Sequence, residues 1–365
     1  MKVALVHDYL TRFGGAERVL LELADLFPEA PIYTFLYDKD KMEQHFPAER
    51  VRTSFLQKFP RWWRSRPKYL LPFLPIAPET FDLREFDMVI SSSSAFAKGV
   101  VTRPKTWHIN YCHNPARFLW DYSYEYLCQQ NLGVISRVVV KIFLNYLRLW
   151  DRAASRRVDY FVANSQATAR RIIKHYQQET KVIYPPVNLP ADWQTKTPGD
   201  YFLIVSQLTP YKRIDVAVEA FNKLGLPLVI IGEGSQKKRL MKMAKSNVKI
   251  LGWQTDEAVA DYYKNCLAFI FPGEDDFGIA PVEAMGWGKP VLALKAGGAE
   301  ETILPGMTGE FFEAATPEVL ADGVRRLRAN LEHYSPLVIR KWAEKFSAIR
   351  FRKEFMEFVE KVGYN

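Results

Sequence analysis

Only three cysteines occur in the 365 residues, Cys112, Cys128 and Cys266, an odd number without metal-ligand spacing. That usage argues against a disulfide framework or a structural zinc site, and it suits a reducing cytoplasm. No apolar run approaches the ~20 residues of a membrane span. Met1 opens directly on a strand-like Lys2 to Val6, so no cleaved leader is expected. The GxGxxG spacing of a dinucleotide fold is absent, which argues against a nucleotide-sugar epimerase, and there is no GxxxxGK[ST] phosphate loop. Acids are missing from one long stretch: none stands between Arg50 and Glu79.

Charge of the other sign fills that stretch. Seven cations run from Arg50 to Lys68 (Arg50, Arg52, Lys58, Arg61, Arg64, Arg66, Lys68), interleaved with Phe55, Phe59, Trp62, Trp63 and Tyr69 and followed by Leu70, Leu71, Phe73 and Leu74. With a net charge of +9 and a pI near 9.2, the chain calls for a negatively charged partner. Cations beside tryptophans suit anionic lipid headgroups, so peripheral membrane contact through Arg50 to Leu74 is expected. A solvated basic loop over a domain core is the plainer alternative. No nucleic-acid-binding module is visible, so no nucleic-acid partner is expected.

Hydrophobic content of 48% and charged content of 25% are those of a soluble globular chain, and the length suits two domains. Strand-like and helix-like segments alternate twice, which predicts two parallel α/β sheets. The first series opens on Lys2 to Val6, with a helix at Gly15 to Phe27, and ends on a helix at Gln166 to Tyr176. A proline-bearing stretch from Tyr184 to Gly199 reads as a linker, and a second series starts at Phe202. The expected domains are 1–190, 191–340 and a terminal helical segment, 341–365, with Phe351, Phe355 and Phe358 on one apolar stripe. That stripe needs a partner, either the first domain, the second domain or another copy. Ligands in such sheets gather beyond the carboxyl ends of the strands.

A long helix is predicted from Ser136 to Arg152. Arg137, Lys141, Arg148 and Arg152 recur at intervals of four, seven and four and share one stripe, while Val139, Ile142, Phe143, Leu147 and Trp150 fill most of the rest. A largely buried helix with one wet face is expected; membrane insertion is the other reading.

Three stretches carry candidate chemistry. Phe269 to Thr302, FIFPGEDDFGIAPVEAMGWGKPVLALKAGGAEET, joins a strand, a Pro-Gly break, an acidic cluster and a helix bearing Glu283, which offers backbone amides for phosphates and carboxylates for hydroxyls. Ser206 to Arg213 places Lys212 and Arg213 at a helix start, where a cation opposes the helix dipole unless an anion is to be held; an ordinary exposed Lys-Arg pair is the alternative. Gly14 and Gly15 between the first strand and helix fit either phosphate approach or simple turn chemistry.

These residues resemble a known family. Asp275 to Glu283 is similar to the E-x7-E signature of retaining glycosyltransferase family 4, and GGAERV (Gly14 to Val19), YCHNPARFLWD (Tyr111 to Asp121), VANS, VIYPPVN, VSQLTPYKRID (Val205 to Asp215) and GG with Glu301 agree with it in order and spacing. The finer details resemble the WbaZ-like bacterial mannosyltransferase branch. The resemblance implies an α/β fold of the GT-B type, two doubly wound Rossmann-like domains facing across a cleft, with the terminal helix of 341–365 crossing back to the first domain. It implies a nucleotide sugar, GDP-mannose first and a UDP-hexose second, a lipid-linked saccharide acceptor, no metal or other cofactor, and a place at the inner face of the cytoplasmic membrane.

The same resemblance assigns roles. His113 would contact sugar or acceptor; Lys212, Arg213 and amides near Gly15 and Phe277, Gly278 and Ile279 would neutralise the leaving diphosphate. Glu283 would hold the ribose, and Asp275 with Glu274 the sugar hydroxyls. Gly232, Trp253 and Gln254 would frame the base, with burial the expected role of the Trp253 ring. Two positions depart from the family: Asp275 stands in place of glutamate, and Gln207 in place of an arginine, whose charge Arg213 would replace. Two further readings remain at this point, a metal site at Glu274-Asp275-Asp276 as in the single-domain glycosyltransferase fold, and a scaffold that has lost catalysis.

Overall fold

The structure, a computed structural model, describes every residue except 65, 67, 68, 125, 126, 128–132, 192, 195–198, 364 and 365. Lys68, Cys128 and part of the expected linker lie outside the described residues. Two compact units are present: Met1–Pro186 with Phe351–Asn365, and Val187–Arg350.

The first unit holds a seven-stranded sheet in the order β3-β2-β1-β4-β5-β6-β7, with β1 Val3–Leu10, β2 Ile32–Tyr37, β3 Val51–Thr53, β4 Met88–Ser93, β5 Trp107–Cys112, β6 Tyr160–Ala163 and β7 Thr180–Val182. Both faces of a parallel sheet are covered, so its inner strands read as almost unbroken apolar runs such as VALV in β1. Leu5, Ile32, Ile90 and Ile109 pack on one face with Leu20 and Leu23 of the Gly15–Leu26 helix. Phe351, Phe355, Val359 and Val362 of the Ala348–Gly363 helix join the same cluster. On the other face Ala4, Val6, Phe35 and Val89 meet Leu56, Leu70 and Leu74 from the basic stretch and Leu144 and Leu147 from the Val134–Ser155 helix.

That packing gives part of the basic stretch a place over the core, and it corrects the expectation for the long helix. Part of the basic stretch is structural: the Arg50 guanidinium donates to the carbonyls of Ala24, Phe27 and Ala30 at 3.1–3.3 Å, satisfying the end of the first helix. Trp63 stacks on Phe59 with ring centroids 5.3 Å apart, whereas Trp62 is 60% exposed. The Val134–Ser155 helix is not largely buried. Leu144, Leu147, Asp151, Ala154 and Ser155 are buried, with Val140, Phe143 and Trp150 packed beside the core, and the stripe that meets water is apolar, with Ile135 at 82% and Ile142 at 67% exposed. Periodicity gave the apolar residues but not which of two apolar arcs the sheet would claim.

One carboxylate organises the edge of this sheet. Asp8, buried near the end of β1, accepts from the backbone amides of Ser94 (2.7 Å), Ala95 (3.0 Å), Phe96 (2.9 Å) and Ala97 (2.7 Å), and so fixes the loop after β4.

The second unit has a six-stranded sheet in the order β10-β9-β8-β11-β12-β13: β8 Phe202–Val205, β9 Leu228–Ile231, β10 Val248–Gly252, β11 Ala268–Phe271, β12 Val291–Leu294 and β13 Gly309–Phe312. Its pairings are all parallel, so the loops after β8, β9, β10, β11 and β12 leave from one edge.

Replacing Asp8 with alanine leaves those four amides without their acceptor and is expected to cost about 3–5 kcal/mol. Urea unfolding of Asp8→Ala checks this; a loss below about 1 kcal/mol would remove the carboxylate from its organising role.

Candidate functional site

Along the carboxyl edge of the second sheet, the loops pack against one another so closely that side chains would collide. The backbone of Lys212 passes so near Gly273 that a Cβ there would lie 2.7 Å from the Lys212 carbonyl, and a Cβ on Gly232 would fall 1.9 Å from the Ser206 carbonyl oxygen. Gly298 donates its amide to the Asp275 carbonyl at 2.9 Å, which ties the loop after β12 to the acidic cluster. The Pro-Gly break and the GG pair are therefore packing requirements of the site's frame.

On that frame the Lys212 ammonium bonds the Asp275 carboxylate. Burial works against the charge on Lys212, but Asp275, Tyr211 and Asp276 outweigh it and its pKa is raised. Asp275 thus touches the lysine directly, a contact the sequence did not suggest. Glu283 stands in the Ile279–Gly286 helix and accepts a 3.0 Å hydrogen bond from the Tyr263 hydroxyl. Tyr263, buried in the Asp256–Asn265 helix, escaped the sequence reading, because nothing in DYYKN marks which tyrosine turns inward.

Phe277 is buried, and Gly278 caps the Glu283 helix with no side-chain cap. The first helical residue, Ile279, offers an amide there, while Pro281 offers none. Glu274 lies next to the GG pair, its Cγ 3.0 Å from where a Cβ on Gly297 would stand. Among the described residues no three His, Cys, Asp or Glu side chains converge to hold a metal ion, the Glu274-Asp275-Asp276 triplet included.

Arg213 adopts a left-handed conformation, φ 52°, which explains why glycine would be favoured at that position. Its guanidinium donates to the Ala315 carbonyl at 3.0 Å and lies 3.8 Å from Asp215. Gln207 is exposed. Trp253 is 72% exposed, so the expectation of burial is corrected: its amide, 3.2 Å from Glu233, fixes the backbone and leaves the ring outside. Gln254 donates to the Leu251 carbonyl at 3.4 Å.

A second cluster belongs to the first unit. His113 follows β5, and its Nε2 lies 2.8 Å from the Ser92 hydroxyl, which lies 3.2 Å from Nδ1 of His7. His7 Nε2 is 3.5 Å from the Glu17 carboxylate. A carboxylate only accepts, so a neutral His7 carries its proton on Nε2 and accepts from Ser92 through Nδ1. Ser92 then accepts from His113 Nε2, which leaves His113 Nδ1 as an acceptor. Burial, with His7 adding to it, pushes the His113 pKa down to about 3. His7 and Ser92 were missed because they meet through the register of β1 and β4, in which His7 pairs Ser92. Gly15 opens the first helix, and Glu17 folds back beneath Gly14, 3.1 Å from where a Cβ would stand. A phosphate approaching those amides would meet that carboxylate.

Residues 13–190 match the family model described as Glycosyltransferase Family 4, and residues 188–338 the one described as Glycosyl transferases group 1. The D-rhamnosyltransferase WbpZ of Pseudomonas aeruginosa is 24% identical over 213 residues, 52% of this chain and 54% of that protein. The O-antigen chain mannosyltransferase C of Escherichia coli is 27% identical over 160 residues, 38% of this chain and 43% of that protein. The chain thus spans about half the length of the curated relatives it matches. Among solved structures, Anabaena HepE in complex with UDP-glucose superposes with a TM-score of 0.71 at 20% identity, covering 99% of this chain and all of that one, 100%. That likeness, with the two parallel sheets, gives the fold as GT-B.

A buried and a half-buried histidine set an acid limit on stability. His108, whose Nε2 is 2.8 Å from the Ser91 hydroxyl, is pushed by burial down to about 4, as His113 is to about 3. Unfolded, both titrate near their ordinary value of 6.5. Below that pH the unfolded chain binds more protons, so stability falls by up to about 1.4 kcal/mol per pH unit for each histidine, until the folded pKa is reached. Urea midpoints at pH 7.5, 6 and 5 are expected to decline, and the decline to be shallower in His113→Asn; an equal slope in that variant would sink the assignment.

Proposed function

We propose that this chain, whose residues 13–190 match the family-4 glycosyltransferase model and 188–338 the group-1 model, is a glycosyltransferase of the family-4 type that moves a hexosyl group from a nucleotide sugar to a saccharide acceptor with retention at the anomeric carbon. One observation carries the reading: Lys212 is held by Asp275 at the edge from which the Glu283 helix also departs, and Glu283 is itself fixed by Tyr263. Breaking the bond from the anomeric carbon to phosphate leaves positive charge on the sugar and negative charge on the diphosphate. Lys212, with Arg213 and the amide of Ile279, answers the second. Asp275, Glu274 and Glu283 offer acceptors to sugar and ribose hydroxyls, and His113 Nδ1 accepts from a hydroxyl of sugar or acceptor. The leaving phosphate takes the acceptor's proton on the same face, so no pair of carboxylates spaced as in hydrolases is required.

We favour GDP-mannose as donor and a lipid-linked saccharide of cell-surface polysaccharide synthesis as acceptor. The Escherichia coli relative named as an O-antigen chain mannosyltransferase supports mannose and a cell-surface polysaccharide. The acceptor would be met at the inner face of the cytoplasmic membrane, with the exposed Trp62 of the Arg50 to Leu74 stretch toward the lipid. A UDP-hexose is the second reading, favoured by the UDP-glucose in the HepE structure.

A thermal-shift panel of GDP, UDP and ADP tests the donor: GDP is expected to raise the melting temperature, and stabilisation by UDP alone would overturn the mannose assignment. Glu283→Ala and Lys212→Ala are each expected to lower transfer by at least about 100-fold, while EDTA leaves it unchanged. Undiminished activity in either variant removes that residue from the site, and absence of turnover with every nucleotide sugar that stabilises the chain identifies a scaffold.

A further inference from the structure

The Val134–Ser155 helix turns an apolar stripe outward. Ile135 is 82% exposed, Val138 51%, Val139 59%, Ile142 67%, Tyr146 58% and Leu149 65%, and at about 100° per residue all six fall within about 100° of arc. Single exposed apolar residues are ordinary on a protein surface; six in one row along a helix are not. The opposite arc, with Leu144 and Leu147, is already seated on the sheet, so the outward stripe is surplus to this unit's own core.

Charge beside the stripe identifies what covers it. Arg137, Lys141, Arg148 and Arg152 form a row along one flank, and Arg137 and Lys141 are exposed with no partner among the described residues. The helix has a single acid, Asp151, and it is buried, bonded to Lys98 at 2.5 Å and to the Trp120 and Tyr176 side chains. A second copy docked about a two-fold axis would set this cationic row against itself. An anionic surface would neutralise it. No helix among the described residues is long and apolar enough to cross a membrane, which leaves a helix lying in the plane of the headgroups.

We propose that the Val134–Ser155 helix is a docking surface for an anionic lipid bilayer, with the Ile135-to-Leu149 stripe among the acyl chains and Arg137 and Lys141 on the headgroup phosphates. The Arg61–Arg64 helix packs into the same core cluster, on the same face of the sheet, through Trp63. The two elements thus cover one side of the first unit. The proposal rests on the lipid-linked acceptor only for the reason a membrane is visited.

Co-sedimentation of the full chain with vesicles of phosphatidylcholine, alone or mixed with phosphatidylglycerol, tests it without donor or acceptor. Binding is expected to the mixed vesicles and to weaken with salt. Ile142→Glu with Leu149→Glu is expected to lower it at least tenfold while the melting temperature and nucleotide-induced shift stay as they were. Arg137→Gln with Lys141→Gln is expected to remove most of the preference for phosphatidylglycerol. Unchanged binding of the glutamate variant overturns the proposal, as does light scattering in which that variant turns a dimer into a monomer. A chain that binds vesicles through this helix but transfers no sugar leaves the proposal standing and removes only the enzymatic reading.

Discussion

Parallel pairing of strands is the constraint on which the rest of this molecule depends. A strand that must run the same way as its neighbour cannot return by a tight turn, so each connection crosses a face of the sheet and brings a helix with it. Both faces are then covered, and the strands grow apolar on both sides. Every carboxyl end arrives at one edge, where the helices begin and backbone amides point outward. In the second unit that edge gathers Lys212, Asp275 and the Glu283 helix from segments far apart in the chain. In the first it gathers His7, Ser92 and His113.

Much of this was legible because alternation and motif spacing are local properties. The strands Trp107–Cys112, Tyr160–Ala163, Phe202–Val205 and Ala268–Phe271 follow directly from short apolar runs between breaks. Val51–Thr53 and Thr180–Val182 were not anticipated, being three-residue edge strands whose sequence hardly differs from loop. Candidate site residues near glycine and proline were visible for the same local reason. Side-chain partners were not: Tyr263 against Glu283, or His7 against Ser92, depend on helix rotation and strand register, which one sequence leaves open. The outward stripe of the Val134–Ser155 helix shows the same gap, since a helix apolar on two arcs does not state which arc faces the sheet.

Two of the Lys–Asp pairs are held in different ways. Lys98 and Asp151 are sealed, 2% and 1% exposed, and Asp151 fills its remaining capacity with Trp120 and Tyr176. Such a pair is satisfied and has nothing left to offer a ligand. Lys212 and Asp275 keep 12% and 25% of their side-chain surface in reach of solvent, at the edge of a sheet and beside further acids. A pair of that kind is held in place yet open to exchange, which suits groups that must bind and release a charged molecule on each turnover.

The Ala348–Gly363 helix has a consequence for the order in which the chain is built. Its Phe351, Phe355, Val359 and Val362 belong to the same core as Leu5 and Ile32, so the first unit stays incomplete until this helix has left the ribosome. The second unit lies wholly between the two parts of the first and needs nothing made after Arg350. Vectorial synthesis therefore finishes the second unit before the first, and a chain stalled just beyond Arg350 carries one closed core and one with an open apolar face, a natural target for chaperones.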